Sequence, residues 1–206
     1  MQYNGGMKMA DPARALDGRF TYGDYKLWPE DDRWELIGGI AYQMSAPTRK
    51  HQALAGLIHG RLFAFLEGKS CKVYIAPFDV LLPELSEIDD DDDVTNVVQP
   101  DVVVFCDKGK LTTAGAKGAP DIAFEVLSPS TTKKDLREKF DLFQRMGVRE
   151  YWLIDPAGSW INRFNRDDKG LYGEPEVRDP VKIKGKIPSL VLEGFAIDPE
   201  DLFAAE

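Results

Sequence analysis

The chain has 206 residues, a net charge of −9, 43% apolar residues and 30% charged residues. That length suits one compact domain with a full core, and the fractions are those of ordinary globular proteins. The charge argues against a protein that coats nucleic acid through bulk positive potential. However, Glu84, Glu87 and Asp89 to Asp93 hold seven of the acids in one short stretch, and without them the chain is nearly balanced.

No apolar run is long enough to span a bilayer, and Met1 to Met9 lack a signal peptide's hydrophobic region. No membrane association is expected, and the cytoplasm is the default location. Cys71 and Cys106 match neither a zinc-ligand pattern nor a disulfide framework, and Cys106, ending an apolar run, reads as a buried thiol.

Residues 1–18 read as a flexible leader and 19–206 as a single domain. Trp34 to Ile37 and Ile40 to Met44 flank Gly38-Gly39 as a hairpin with a tight glycine turn. Ser45 to Lys50 leads into a helix over about 51–67, whose apolar face carries Leu54, Leu57, Ile58, Leu62 and Phe65. Lys72 to Leu82 is one strand or two bent ones, and an acidic loop over about 84–98 reads as solvated and mobile.

Asp101 to Cys106 and Ile122 to Leu127 are strands, joined by a connection rich in Gly, Lys and Thr. A second helix runs over about 133–146, with Thr132 and Asp135 approximating a capping box and Gly147 ending it. Arg149 to Ile154 is a strand stopped by Asp155-Pro156. The tail reads as a strand pair around Asp167 to Gly170, further extended segments and a short final helix. The order implies a mixed α/β (α+β) fold, a mixed sheet flanked by helices.

Chemistry concentrates on Asp101, Glu125 and Lys139, because two acids near strands and one lysine are what a metal-dependent phosphodiesterase needs. Of two Pro-Asp dipeptides the first is favoured. Asp121 shares a strand with Glu125 and lies roughly 13 Å from it, at about 3.3 Å per residue. Asp101 opens a different strand and can converge with Glu125 if the two strands are neighbours in suitable register. Asp121 then reads as a strand-start or turn residue. Glu125 interrupts the apolar strand Ile122 to Leu127, where a carboxylate needs a partner, a metal or a proton; an ion pair is the structural alternative.

With Leu136 at the centre of a wheel of about 100° per residue, Lys139 falls inside the apolar arc with Phe140, Phe143 and Met146. Lys134, Arg137 and Arg145 fall well outside it. Lys139 can thus reach toward the carboxylates or, alternatively, pair with Asp135 one turn earlier. His51, Glu35 and Asp79 are accessory candidates for a metal or phosphate, each also explicable structurally. Ser130, Thr131 and Lys133, at the start of the second helix, are candidate phosphate contacts.

Several blocks together resemble the Uma-type (Uma-two) family, grouped with restriction endonucleases in the PD-(D/E)XK nuclease superfamily. They are Trp34-Glu-Leu-Ile-Gly-Gly, Ser45-Ala-Pro-Thr with His51-Gln52, Gln99-Pro-Asp-Val-Val-Val, Gly118 to Thr131, Asp135-Leu-Arg-Glu-Lys-Phe, and Gly147 to Pro156. The resemblance implies a restriction-endonuclease-like core, a four-stranded mixed sheet with helices on both sides, carrying the N-terminal hairpin and a C-terminal β-rich extension. It implies Asp101 and Glu125 as ligands of Mg2+ or Mn2+, with the Val126 carbonyl as a further ligand. The superfamily's usual lysine two residues after the acid is replaced by Leu127, and Lys139 matches its migrated position. The implied function is a divalent-metal-dependent endonuclease hydrolysing DNA, for which a homodimer would suit double-strand cutting. The alternative is a catalytically inactive module of the same fold for nucleic-acid or protein interaction.

Overall fold

A computed structural model describes residues 18–29, 32–87, 90–129, 132–178 and 185–204. The leader therefore lies almost wholly outside the described residues, as does Asp89 of the acidic loop. In chain order the first half comprises α1 (Tyr22–Tyr25), β1 (Trp34–Ile37), β2 (Ile40–Gln43), α2 (Arg49–Phe65), β3 (Lys72–Ile75), β4 (Asp79–Leu81), β5 (Val97–Val98) and β6 (Val102–Phe105). Then come β7 (Gly115–Lys117), β8 (Ile122–Val126), α3 (Thr132–Lys134), a π-helical turn (Asp135–Lys139), α4 (Phe140–Met146), β9 (Glu150–Asp155), β10 (Trp160–Asn165) and β11 (Glu176–Arg178). The short pair β12 (Ile187–Pro188) and β13 (Ala196–Ile197) precedes α5 (Pro199–Ala204).

The main sheet has six strands in the order β11-β10-β9-β8-β6-β3, and β8 and β9 are its parallel pair. The expected four-stranded sheet is present as β3, β6, β8 and β9, but the count is corrected. The C-terminal extension hydrogen-bonds onto β9 through β10 and continues the same sheet. A second sheet of five strands, β2-β1-β5-β4-β7, carries the N-terminal hairpin. Gly38 and Gly39 turn the hairpin with φ of 58° and 78°, values that glycine adopts without strain. The segment read as one strand or two is two strands that belong to different sheets.

Alternation along β6 and β8 divides the core into two layers. Val102, Val104, Ile122, Phe124 and Val126 pack under α2, against Leu54, Ile58 and Leu62. Val103, Phe105 and Ala123 pack on the other face against Leu142 and Phe143 of α4. Helix α2 starts where expected, because the Thr48 side chain accepts the amide of His51 at 3.2 Å. Gly147 ends α4 in the left-handed region, at φ 92°.

Two expectations are corrected here. Cys71 and Cys106 form a disulfide rather than leaving a buried thiol. β3 and β6 run antiparallel with Lys72 opposite Phe105, so the residues just beyond them face each other, a pairing that sequence separation hides. Such bonds persist chiefly in oxidising surroundings, so cysteine usage no longer supports a cytoplasmic default. The acidic loop is also tied down in part: Asp91 pairs with Lys117 at 2.6 Å and Asp92 pairs with Lys26. Among the described residues no helix is long and apolar enough to cross a membrane.

Candidate active site

The site forms where Asp101, just before β6, meets Glu125 on β8. Val102 pairs with Phe124 across the antiparallel β6–β8 ladder, and continuing that register by one residue sets Asp101 opposite Glu125. The Asp101 carboxylate caps the ladder, Oδ2 accepting the Val126 amide at 2.8 Å. The same oxygen lies 3.1 Å from Nε2 of His51, which reaches in from the first turn of α2. From the opposite face the π turn brings Lys139, whose Nζ lies 2.5 Å from Oε1 of Glu125 and 2.7 Å from Oε1 of Glu35. Asp135, also on the π turn, is 4.0 Å away.

Asp101, Glu125 and Lys139 therefore share one cleft of about 200 Å³, lined also by His51, Lys134 and Asp135. Glu35 enters from the second sheet. Its Oε1 also accepts the Gln99 amide at 2.9 Å, and Oε2 takes Lys134. Glu35 thus binds lysines rather than standing as a free acid for a second ion. Asp79 is outside the cleft lining; its Oδ1 accepts the Tyr25 hydroxyl at 3.0 Å and the Gln99 side-chain amide at 2.7 Å. Asp121 is the strand-start residue expected, accepting the Cys106 amide at 2.7 Å and Arg149 at 3.1 Å. Ser130 and Thr131 lie outside the described residues, and of Lys133 only the backbone is described, within α3.

The wheel reading needs correction at two positions. Leu136, placed at the centre of the apolar arc, is 42% exposed. Lys134, placed well outside the arc, lines the cleft and grips Glu35. A π turn closes i→i+5 rather than i→i+4, so an angular step taken from the α-helix misplaces residues across it. The Tyr151 hydroxyl donates to the Asp135 carbonyl at 3.0 Å, and a side chain inserted into the helical ladder is a recognised cause of such a break. Asp135 is buried and lines the cleft.

The electrostatics are set by too many carboxylates for the ammonium groups present. Glu35, Glu125 and Asp135 surround Lys139, Glu35 also takes Lys134, and Asp101 pairs with His51. Burial would raise Glu35, but Lys134 and Lys139 outweigh it and hold that carboxyl down to about 2. Burial also raises Glu125; there the charges of Asp135, Asp101 and Glu35 add to it and overcome Lys139, leaving the carboxyl well above the usual range. Lys139 would be lowered by burial, yet Glu125, Glu35 and Asp135 hold it above its ordinary value. His51 follows the same pattern, burial lowering it and Asp101 raising it further.

A divalent cation suits a cleft lined by Asp101, Glu125 and Asp135, because hard cations take oxygen ligands. The second oxygens of Asp101 and Glu125 carry no hydrogen bond among the described residues, and both side chains line the cleft. Among the described residues, however, no group of three or more His, Cys, Asp or Glu side chains is already arranged to hold an ion. A third ligand would therefore come from backbone or water.

Comparison with known proteins gives the family and the fold. Residues 22–200 match the Uma2 family model, described as "Putative restriction endonuclease". The uncharacterized protein slr1290 of Synechocystis sp. is 24% identical over 150 residues, which cover 71% of this chain and 74% of that protein. A crystal structure from Anabaena variabilis, of a protein described as a putative nuclease belonging to DUF820, superposes with a TM-score of 0.68 at 20% identity. That match covers 88% of this chain and 95% of the other, and shows a shared fold. The family match spans every residue of the cleft, and the chain belongs to the Uma2 family.

Proposed function

We propose that the protein is a divalent-metal-dependent nuclease that hydrolyses DNA phosphodiester bonds, with Asp101, Glu125 and Lys139 as its catalytic residues. The observation that carries this is the meeting of two strand-borne acids and a helix-borne lysine in one cleft. Asp101 and Glu125, with the Val126 carbonyl, would hold Mg2+ or Mn2+. The ion would polarise the phosphate and lower the pKa of the attacking water.

The chain's own residues do the positioning. The Val126 amide and His51 fix one oxygen of Asp101, so its orientation costs no reorganisation when substrate arrives. Lys139, held between Glu125 and Glu35, remains cationic and supplies positive charge beside the bond to be cut. The fold excludes bulk water from Glu125 and Lys139, which strengthens each of these interactions.

The test is cleavage of plasmid and linear DNA with Mg2+ or Mn2+ by the parent and by Asp101→Ala, Glu125→Ala and Lys139→Ala. Each variant is expected to lose about 100-fold or more in rate. Variants that all cut as fast as the parent would place the site elsewhere. A parent that binds Mn2+ through Asp101 yet cuts neither DNA nor RNA would instead be an inactive interaction module.

A further inference from the structure

Lys139 is the more enclosed of the two lysines at this cleft. Its side chain is only 2% exposed and is enclosed by Glu125, Glu35 and Asp135. Lys134 lines the same cleft, is 11% exposed, and gives one contact to Glu35 with the Tyr42 ring 5.8 Å away. An ammonium carries three donors, so contacts of this kind leave donor capacity toward the cleft. Glu35 shares its oxygens between the two lysines, Oε2 taking Lys134 while Oε1 takes Lys139 and the Gln99 amide.

The placement of Lys134 follows from the π turn. At about 100° per residue, positions five apart on an α-helix point roughly 140° away from each other. Lys134 and Lys139, separated by the turn Asp135–Lys139, instead meet the two oxygens of one carboxylate. A phosphodiester entering this cleft adds negative charge beside Asp101, Glu125 and Asp135, and the more accessible of the two lysines is the better placed to meet it. π turns also occur frequently at functional sites.

We propose that Lys134 binds a backbone phosphate of the nucleic-acid substrate, and that the π turn places it there. This rests on the nuclease reading and names a substrate contact within it. Glu35 holds the lysine in position, so little side-chain freedom is lost on binding. Lys139 remains the buried charge beside Glu125.

The experiment is fluorescence anisotropy of a labelled DNA duplex in Ca2+ across a salt series, which needs no turnover. The proteins are the parent, Lys134→Gln and Lys134→Arg. Glutamine keeps an amide donor for Glu35 and loses the charge; arginine keeps the charge. Lys134→Gln is expected to bind about 10-fold more weakly, with the magnitude of its salt slope reduced by about 1. Lys134→Arg is expected to recover both, and Mn2+ affinity by calorimetry to stay at the parental value in both variants. Equal affinity and slope in Lys134→Gln overturns the phosphate contact while leaving the nuclease reading intact. Weaker binding at an unchanged slope assigns Lys134 a purely structural role and also overturns it. A parent that binds no DNA removes the DNA-nuclease reading and this inference with it.

Discussion

Oδ2 of Asp101 is 3.1 Å from Nε2 of His51 and 2.8 Å from the Val126 amide, so one carboxylate oxygen is held by both α2 and β8. The other ring nitrogen of His51, Nδ1, is buried with no hydrogen-bond partner among the described residues. The imidazole therefore acts through Asp101. His51→Ala is expected to weaken Mn2+ binding by about 10- to 100-fold, the usual effect of removing a group that orients a ligand. Titration calorimetry checks this, and parental affinity in the variant would remove His51 from the site.

Glu125 makes the metal-free protein sensitive to pH in a direction opposite to most carboxylates. Its folded pKa lies well above the ordinary 4.5, so the native state binds this proton more tightly than the unfolded chain. Stability must then fall as pH rises from about 4.5 through the raised value. In EDTA, the parent should lose stability relative to Glu125→Gln across that window, measured by urea midpoints at successive pH values. A parent-minus-variant difference that is flat with pH would contradict the burial and charge argument.

Glu35 behaves in the reverse sense. Its folded carboxyl is held down to about 2, so its contribution is present above 4.5 and is lost as pH falls toward that lower value. At neutral pH, Glu35→Ala strips a partner from Lys134 and Lys139 and is expected to cost about 3–5 kcal/mol, the range for breaking a buried ion pair. Equilibrium urea denaturation reads the loss. A cost below about 1 kcal/mol, typical of an exposed pair, would show that water reaches the cluster.

The Cys71–Cys106 bond closes a loop of 35 residues between β3 and β6. Replacing both cysteines with alanine should cost about 2–4 kcal/mol through the freer unfolded chain. A thiol assay on the unfolded, unreduced protein should find no free thiol. Detection of two thiols per chain would mean that the pair stays reduced.

Much of the fold was legible from local pattern. Gly38-Gly39 marked the hairpin, the apolar spacing from Leu54 to Leu62 marked α2, and Gly147 marked the end of α4, because each is decided by backbone conformation or by one buried face. The choice of Asp101 over Asp121 also followed from strand geometry, and the two acids lie where that reasoning put them. Lys134 was not legible. Its position depends on a π turn that forms around a Tyr151 hydroxyl delivered by a different strand.

The sequence by itself determined the order of elements, the acid on each of two strands and a lysine on the helix after them, since these depend on periodicity and chain geometry. Only the tertiary structure decided which charges meet. Glu35 reaches Lys134 and Lys139 because the second sheet docks beside the π turn, and Cys71 meets Cys106 because β3 and β6 adopt one register. Those are contacts between residues distant along the chain, set by how layers pack rather than by any local preference. The cluster of Asp101, Glu125 and Asp135, and with it the site's fit to a cation, exists only once that packing is in place.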